Sequence, residues 1–357
     1  MLKGVGRGAL SLAALLWSVN ASCVNFHPGP LALPPEQAGA PPALRWTTHA
    51  GRAIAAPVGV DSASIYAAGV DRVVRAISID SGRVRWSFRL TGSVLEGVVR
   101  ADSSVYVASA RPEGNLLALD ARTGRKRWST RVGAPAGPVS LVGGVLVLPL
   151  RSGDLLGVTP ADGVIRWRRR VGYARSGAVP AAGAALIASF DSLFRVSIAD
   201  GRVLHRRASP GVVLAAWRTV GPLIIGATTD SSLVALDAAS LVAAWRAPLD
   251  APVFATPAVR GDTIFVATRI GSIYRVLGST GASVRLARLG WPLTAGPVLL
   301  DSLLLVGGAD GTVRALDRAG HDVWRVAVWR PVDVPPIALE RGLLMIGGNG
   351  DFHLYAR

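Results

Sequence analysis

The chain has 357 residues, and hydrophobic residues make up 50% of it, which is enough for a large buried core. Its 39 lysines and arginines outnumber its 23 aspartates and glutamates, giving a net charge of +16, and Lys3 and Lys126 are the only lysines. A charge of this size affects solubility and non-specific association but does not determine the fold. The single cysteine, Cys23, excludes a disulfide within the chain.

Residues 1–22 have the organisation of a secretory signal peptide. Lys3 and Arg7 precede the apolar stretch ALSLAALLWSV, whose 11 residues are too few to span a bilayer stably. The small residues of VNAS then offer a cleavage site, for example after Ala21. A chain exported in this way is not expected to bind nucleic acid.

Cys23 follows this segment and resembles the cysteine that carries the lipid anchor in bacterial lipoprotein signals. Asn20 stands where such signals prefer leucine, and the alternative is ordinary cleavage after Ala21, which leaves a free thiol. We favour lipidation at Cys23, because a lone exposed cysteine is otherwise reactive. The expected location is the periplasmic side of the bacterial outer membrane, or the soluble periplasm if cleavage occurs before Ser22.

Residues 23–43 are predicted to be an extended tether rather than a folded domain. The stretch VNFHPGPLALPPEQAGAPPA contains six prolines. Proline-rich linkers are extended, and at about 3.1 Å per residue this one can reach roughly 60 Å. The tether would therefore hold a globular body away from an anchored N-terminus.

From residue 44 onward, a unit of about 40 residues repeats. Its marker is a short turn followed by an aromatic residue, as in ALDARTGRKRW at 118–128. The marker position recurs every 38 to 42 residues, at Trp46, Trp86, Trp128, Trp167, His205, Trp245, Arg285 and Trp324. The basic residues Arg125, Lys126 and Arg127 do not recur with it, so we interpret them as a solvated face of one strand.

Each repeat contains four short apolar runs separated by turn residues, which predicts a four-stranded antiparallel blade. In the second repeat the runs are GVVRA, SVYVASA, NLLALD and KRWSTRV. Seven complete repeats span 57–328, the C-terminal residues supply three more strands, and residues 44–48 supply one. The sequence thus predicts an all-β, eight-bladed propeller over 44–357, in which the N-terminal strand pairs into the last blade and closes the ring.

The residues that recur have structural explanations. Asp120 and Gly124, like their counterparts, are predicted to shape the third turn of the blade. The tryptophans at the marker position are predicted to pack each blade against the next, with each indole N–H donating a hydrogen bond. They are Trp46, Trp86, Trp128, Trp167, Trp245 and Trp324. Blades 4 and 6 should be weakest, because His205 and Arg285 replace the indole. Restoring tryptophan at 205 should then stabilise the protein by about 1 kcal/mol.

The pattern Ala-x-Asp-x-x-Thr-Gly-x-x-x-Trp resembles the repeat of the pyrroloquinoline-quinone propeller family. It is nearly complete at 118–128 and weaker over 44–357, and no tryptophan is followed by the aspartate of a WD repeat. One branch of that family is the quinoprotein alcohol dehydrogenases. Their adjacent cysteines, calcium ligands, catalytic aspartate and long insertions have no counterpart here, so we expect no cofactor, no metal and no enzyme activity.

The second branch comprises BamB-like outer-membrane assembly lipoproteins, which this chain resembles in length, blade number and lipoprotein-like start. The resemblance implies a monomeric, non-catalytic scaffold that binds an envelope protein, with the outer-membrane barrel assembly complex as the leading candidate. That branch carries an Asp-rich insertion between two blades, whereas the connections RRVGYARSGAV and RRASPGVVLAAW are short and basic. No binding residue is therefore transferred. The alternative is a periplasmic ligand- or glycan-binding propeller, with Trp291 and Trp329 as its aromatic residues.

One face of the predicted propeller is rich in arginine. Antiparallel blades place their second turns and the blade-to-blade connections at the same end. Around blades 3 and 4 this face gathers the candidate partner-binding residues Arg151, Arg169, Tyr173, Arg175, Arg206 and Arg207. An arginine-rich surface with an aromatic residue suits an acidic protein or an anionic lipid. A solvated rim is an equally weighted interpretation.

Overall fold

The computed structural model describes residues 40–51, 54, 57–110, 114–174, 176–213, 216–328, 331–332, 334–347 and 350–356. The predicted signal peptide, Cys23 and nearly all of the tether lie outside these ranges, as do Arg175 and Trp329. The described residues form 32 strands, and no helix among them is long and apolar enough to cross a membrane.

The first strand, β1, spans Leu44–His49. The next sixteen strands form blades 1 to 4 in chain order. Their bounds are β2 Gly59–Val60, β3 Ser64–Ala68, β4 Val73–Ser78 and β5 Val84–Arg89; β6 Val98–Ala101, β7 Ser104–Ala108, β8 Asn115–Asp120 and β9 Lys126–Arg131; β10 Ser140–Val142, β11 Val145–Pro149, β12 Asp154–Val158 and β13 Ile165–Arg170; β14 Val179–Ala181, β15 Ala184–Ala188, β16 Ser192–Val196 and β17 Val203–Ala208.

The remaining strands form blades 5 to 7 and three quarters of blade 8. Their bounds are β18 Arg218–Val220, β19 Leu223–Thr228, β20 Ser232–Asp237 and β21 Ala243–Pro248; β22 Ala258–Arg260, β23 Thr263–Ala267, β24 Ser272–Leu277 and β25 Ser283–Arg288; β26 Leu293–Leu300, β27 Leu303–Gly308, β28 Thr312–Leu316 and β29 Asp322–Ala327; β30 Ile337–Leu339, β31 Gly342–Ile346 and β32 Asp351–Tyr355.

The strand order confirms the predicted all-β, eight-bladed propeller. Seven sheets contain four consecutive strands, and the eighth has the order β1-β32-β31-β30. Strand β1 runs antiparallel to β32, with Trp46 opposite Leu354 and His49 opposite Asp351. The His49 Nδ1 atom lies 2.7 Å from Asp351 Oδ1. The N-terminal strand therefore closes the ring, and no blade of the described chain lacks its outer strand.

Burial follows the order of strands within a blade. The second strands, such as β3, β7 and β11, are buried along their whole length. The outer strands β5 and β9 alternate between exposed and half-buried residues. This happens because an inner strand has a neighbouring blade on both sides, whereas an outer strand has one side open to solvent. The hydrophobic core consequently lies between blades rather than within one layer.

The repeat tryptophans bind the next blade at its third turn. The indole N–H of Trp128, for example, donates to the carbonyl of Pro160 at 2.8 Å. Equivalent bonds of 2.7–2.9 Å are made by Trp46, Trp86, Trp167 and Trp245. Within its own blade, each of four tryptophans lies opposite a small residue, which leaves space for the ring: Ala76, Ala118, Gly157 and Ala235.

The third-turn glycine receives the tryptophan of the preceding blade. Gly124 has φ +72°, which favours glycine, and a Cβ atom there would lie 2.6 Å from the Trp86 ring. A Cβ at Gly163 would similarly lie 2.4 Å from Trp128. Glycine is thus required at this turn both for backbone conformation and for the contact between blades.

The blade 4–blade 5 interface departs from this arrangement and still contains a tryptophan. His205 is exposed, and Leu241, at φ +58°, stands where the glycine would be. Leu241 is buried together with Trp217, which comes from the connection between the two blades. Trp217 is only 1% exposed, and a Cβ at Gly226 would lie 2.7 Å from its ring. The indole has therefore moved from the outer strand to the connection.

The blade 6–blade 7 interface shows the same relocation. Arg285 is exposed and lies 3.5 Å from Asp250, and the bulge in β25 is displaced, so that Leu286 packs between the blades. Trp291, from the following connection, packs in that same cluster. The Arg314 guanidinium lies 3.5 Å from the centre of its ring, a cation–π contact. The marker positions of blades 4 and 6 lack an indole as predicted, but Trp217 and Trp291 supply one to each interface, which removes the reason to expect these blades to be weakest.

Candidate functional site

Exposed large hydrophobic residues occur at both ends of the propeller. We call the end formed by the second turns and the blade-to-blade connections the connection face, and the opposite end the hairpin face. Half of the exposed large hydrophobic residues that the described structure contains lie on the connection face: Val70, Leu95, Tyr173, Phe190, Phe254 and Ile270. Exposed apolar side chains that lie close together on a soluble domain are typical of a surface that binds a partner.

The most prominent of these residues border a cavity of about 230 Å³. Phe190, at the tip of the second turn of blade 4, is 74% exposed, and Tyr173 is 43% exposed. The other lining residues are Ser176, Ala188, Ser189, Val212 and Val213. Ser176 is buried, and its Oγ has no hydrogen-bond partner among the described residues. The cavity is thus largely apolar, with one unpaired hydroxyl group in its lining.

Two of the predicted basic residues are exposed in blades 3 and 4. Arg151 is exposed in the second turn of blade 3, and its Nε donates to the carbonyl of Pro135 at 3.3 Å. The Arg206 guanidinium lies 5.4 Å from the centre of the Phe194 ring and donates to Ser192 Oγ. Exposed cations in blades 3 and 4, together with an apolar cavity, favour a partner surface that combines acidic and apolar groups.

Two of the predicted partner-binding residues point elsewhere. Arg169 donates from Nε to the carbonyl of Gly201 in blade 4, at 2.8 Å. Thr48 and Thr130 make the equivalent bond in blades 8 and 2, so Arg169 stabilises the contact between blades. Arg207 lines a separate groove between blades 4 and 5, together with Leu241. Arg151, Tyr173 and Arg206 remain, and Arg175 lies outside the described residues.

Phe190 is the residue that sequence reasoning missed. It stands in the second turn Ser189–Phe190–Asp191; Val70 and Ile270 are apolar residues in other second turns, but no other second turn has an aromatic residue. A large aromatic side chain at the tip of a polar turn is a detectable signal, because no structural role in the repeat requires it. Attention to arginine alone directed the prediction away from it.

The carboxylates of the third turns act within their turns. Asp120 Oδ1 accepts from the backbone N–H groups of Arg122 and Thr123, at 3.1 and 2.8 Å. The hydrogen bond from Arg127, together with those from Thr123, holds the pKa of Asp120 far below its usual value. In the same way, hydrogen bonds from Ser240 lower the pKa of Asp237. These aspartates therefore have a structural explanation and no free acid–base role.

The described residues do not fit a quinone–calcium centre. They contain no group of three or more His, Cys, Asp or Glu side chains that could hold a metal ion. Trp291, a candidate for binding a ligand in the channel, is instead stacked on Arg314. The connection face is therefore the better candidate site.

Comparisons of sequence agree with the fold. A family model described as "Outer membrane protein assembly factor BamB" matches residues 40–219 and 175–290. The outer membrane protein assembly factor BamB of Bordetella pertussis is 26% identical over 317 residues, covering 85% of this chain and 73% of the relative. That of Burkholderia pseudomallei is 30% identical over 91 residues, covering 26% of this chain and 24% of the relative.

Solved structures show the same architecture. BamB from Moraxella catarrhalis superimposes with a TM-score of 0.75 at 18% identity, covering 89% of this chain and 98% of that one. A quinohemoprotein alcohol dehydrogenase from Pseudomonas putida superimposes with a TM-score of 0.70 at 12% identity, covering 87% of this chain and 72% of that one. At such identities the likeness shows the fold alone, because propellers host unrelated functions.

Proposed function

The chain belongs to the BamB family of outer membrane protein assembly factors, and from this premise we propose that it is a non-catalytic scaffold in the assembly of outer-membrane β-barrel proteins. It binds an envelope protein, with the barrel assembly complex as the leading candidate. The named relatives in this family are assembly factors. The carboxylates that could suggest chemistry are engaged in turns, which supports a binding role over a catalytic one.

The observation that carries the proposal is the cavity bordered by Tyr173 and Phe190. Its volume of about 230 Å³ is in the range of one large side chain rather than a whole ligand. Binding energy at protein interfaces is concentrated in a few buried aromatic and arginine contacts. A partner side chain that enters this cavity would bury Phe190 and Tyr173, while Arg151 and Arg206 orient acidic groups of the partner.

We place the scaffold on the periplasmic side of the outer membrane, held by a lipid at Cys23. The signal peptide, the lone cysteine and the proline-rich tether support this location. Mass measurement of the mature protein is the direct test. A diacylglycerol adduct that disappears in Cys23→Ala is expected, whereas a mature chain beginning at Ser22 would replace the anchored protein with a soluble periplasmic one.

Capture from an envelope extract tests the docking site. The double variant Phe190→Ala/Tyr173→Ala should recover at least about tenfold less of the barrel assembly complex than the wild type, because it removes the aromatic anchors. Phe254→Ala is the matched control, since Phe254 is an exposed aromatic residue elsewhere on the same face. Equal capture by the double variant would refute this site, and capture of a different envelope complex would refute the assembly function.

Arg169 supplies a second control. Arg169→Thr restores the residue that bonds the neighbouring glycine in blades 8 and 2, so it should retain both stability and capture. Arg151→Glu, in contrast, should weaken capture in a salt-dependent manner, because it reverses a charge on the same face as the cavity. If Arg169→Thr lost capture while remaining folded, Arg169 would belong to the docking surface after all.

A further inference from the structure

All eight outer strands, which form the wall of the propeller, carry arginine, but its distribution differs between two halves of the ring. The difference is clearest at the position before each tryptophan marker. In blades 8, 1, 2 and 3 this position is occupied by Arg45, Arg85, Arg127 and Arg166. In blades 4, 5, 6 and 7 it is occupied by Leu204, Ala244, Val284 and Val323. A uniform arginine bias along the chain would not separate the ring into contiguous halves.

Further cations lie on the same half, in blades 1 and 2. They stand near the hairpin face and are exposed: Arg83, Arg122, Arg125 and Lys126. The equivalent stretch of blade 5, SLVAAW, contains no charged residue. We call the exposed cations of the outer strands and third turns of blades 8, 1, 2 and 3 the basic wall.

Much of the charge of the basic wall is uncompensated. Within the described parts of the chain, no carboxylate pairs with Arg83, Arg122, Arg125, Lys126 or Arg166. Asp120, which lies among them, is already paired with Arg127 at 2.7 Å. Like charges held close together without counter-charges repel one another, so an anionic surface brought against the wall would be attracted to it.

The basic wall also contains space for a headgroup. A cleft of about 440 Å³ opens between blades 1 and 2 at the hairpin-face end of the wall, and it is lined both by Arg85, Arg100 and Arg122 and by the carboxylates Asp61, Asp102 and Asp120. Arg100 is paired with Asp61 at 3.2 Å, and Arg85 donates to Ser64 Oγ at 2.9 Å. Arg122 forms no ion pair among the described residues. Guanidinium groups match the geometry of phosphate oxygens, which they bind through paired hydrogen bonds.

We propose that the basic wall binds the phosphate-bearing headgroups of an anionic lipid membrane. The exposed cations Arg83, Arg122, Arg125 and Lys126 belong to two adjacent blades, 1 and 2, so they can face one laterally extended anionic surface together. Strand β1, where the chain enters the propeller, belongs to this half, and Cys23 precedes it by about twenty residues of tether. Membrane contact through the wall would leave the cavity on the connection face accessible. The proposal does not depend on the identity of the docked partner.

Vesicle flotation with the full chain tests this assignment. A Cys23→Ser background removes any contribution from a lipid anchor. Vesicles containing phosphatidylglycerol are compared with vesicles of phosphatidylcholine alone, at low salt and at about 0.5 M salt, where charges are screened within a few ångströms. We expect binding to the anionic vesicles only, and its loss at high salt.

Two variants with the same net charge locate the surface. The wall variant combines Arg83→Gln, Arg122→Gln, Lys126→Gln and Arg166→Gln. The control variant combines Arg202→Gln, Arg207→Gln, Arg288→Gln and Arg318→Gln, all exposed and outside the wall. Each basic residue near an anionic surface strengthens binding several-fold, so the wall variant should bind at least about tenfold more weakly, and the control within about twofold of wild type.

Three outcomes would overturn the proposal. Equal binding to both vesicle compositions would show that headgroup charge is not recognised. An equal loss in the wall and control variants would show that only net charge matters. Absence of vesicle binding, with an acidic protein captured by the wild type and not by the wall variant, would assign the wall to a protein partner. Circular dichroism and thermal unfolding of both variants ensure that each comparison is between folded proteins.

Discussion

The interface between blades 2 and 3 and the interface between blades 4 and 5 both contain an indole, but different segments of the chain supply it. In the first, Trp128 extends from the outer strand, donates to the carbonyl of Pro160, and covers Gly163. In the second, the outer strand carries an exposed His205, the turn carries a buried Leu241, and Trp217 enters from the connection. The two interfaces keep an indole, but they place it at different radii of the ring.

The repeat preserves one tryptophan per interface rather than one per outer strand. Among the described residues every interface contains one, in ring order Trp46, Trp86, Trp128, Trp167, Trp217, Trp245, Trp291 and Trp324. An indole contributes a large apolar area whichever segment supplies it. A degenerate motif in a repeat is therefore not by itself evidence of a weak blade.

Removing the relocated tryptophan should have the largest effect. Trp217→Ala leaves a cavity in a fully buried site and should lower the free energy of unfolding by about 3–5 kcal/mol. Trp128→Ala should cost less, because Trp128 is only partly buried. Denaturant unfolding measures both, and Trp217→Phe, which retains part of the ring, serves if the alanine variant does not fold. A smaller loss of unfolding free energy in Trp217→Ala than in Trp128→Ala would contradict the conclusion that Trp217 fills the interface between blades 4 and 5.

A double-mutant cycle should show that positions 205 and 241 are coupled. His205→Trp alone should destabilise, because Leu241 stands where the glycine would receive the ring. Leu241→Gly alone removes a buried side chain. The free energy of unfolding of the double variant should exceed the value expected from adding the two single changes by about 1–3 kcal/mol. Stabilisation by His205→Trp alone would instead restore the simpler expectation drawn from the repeat.

Substitution of a third-turn glycine should separate backbone strain from blade contact. Gly124→Ala adds a Cβ that would lie 2.6 Å from Trp86, at φ +72°. Gly144→Ala adds one at φ +77° with no atom within 4 Å. Gly124→Ala should lower the free energy of unfolding by about 2–4 kcal/mol and Gly144→Ala by about 1 kcal/mol. The difference is due to the clash with the indole. Thermal unfolding of both variants is the measurement, and equal losses would attribute the whole effect to the backbone.

The smallest expected effect is a shift in acid stability. The pKa of Asp120 is lowered in the folded protein, so its contribution to stability is present above the unfolded pKa, near 4, and is lost as pH falls below it. Asp120→Asn should therefore lower the melting temperature at pH 7 and have less effect near pH 2. A difference from wild type that does not change with pH would mean that the carboxylate charge is not involved.

Much of the fold was predictable because its signals are local. The 40-residue period, the alternating runs and the Asp–Gly turns identify the blades, and the unmatched strand at 44–48 identifies the closure. The candidate site was predictable only in part. Tyr173 and Arg151 were found on the connection face, whereas Arg169 was assigned to the wrong side, since residues of one strand alternate in direction and three successive arginines look alike in sequence.

The sequence by itself determined the architecture, because strand, turn and repeat are each encoded within a few dozen neighbouring residues. Only the tertiary structure decided which tryptophan fills each interface, since Trp217 and Trp291 do not occupy the repeat position and become equivalent to the others through packing. It also decided that Phe190, Tyr173 and Val213, which belong to three different segments, line a common cavity. It likewise assembled the basic wall from arginines 39 to 42 residues apart in the chain. Proximity in the ring depends on contacts between blades, and no local segment of the sequence contains them.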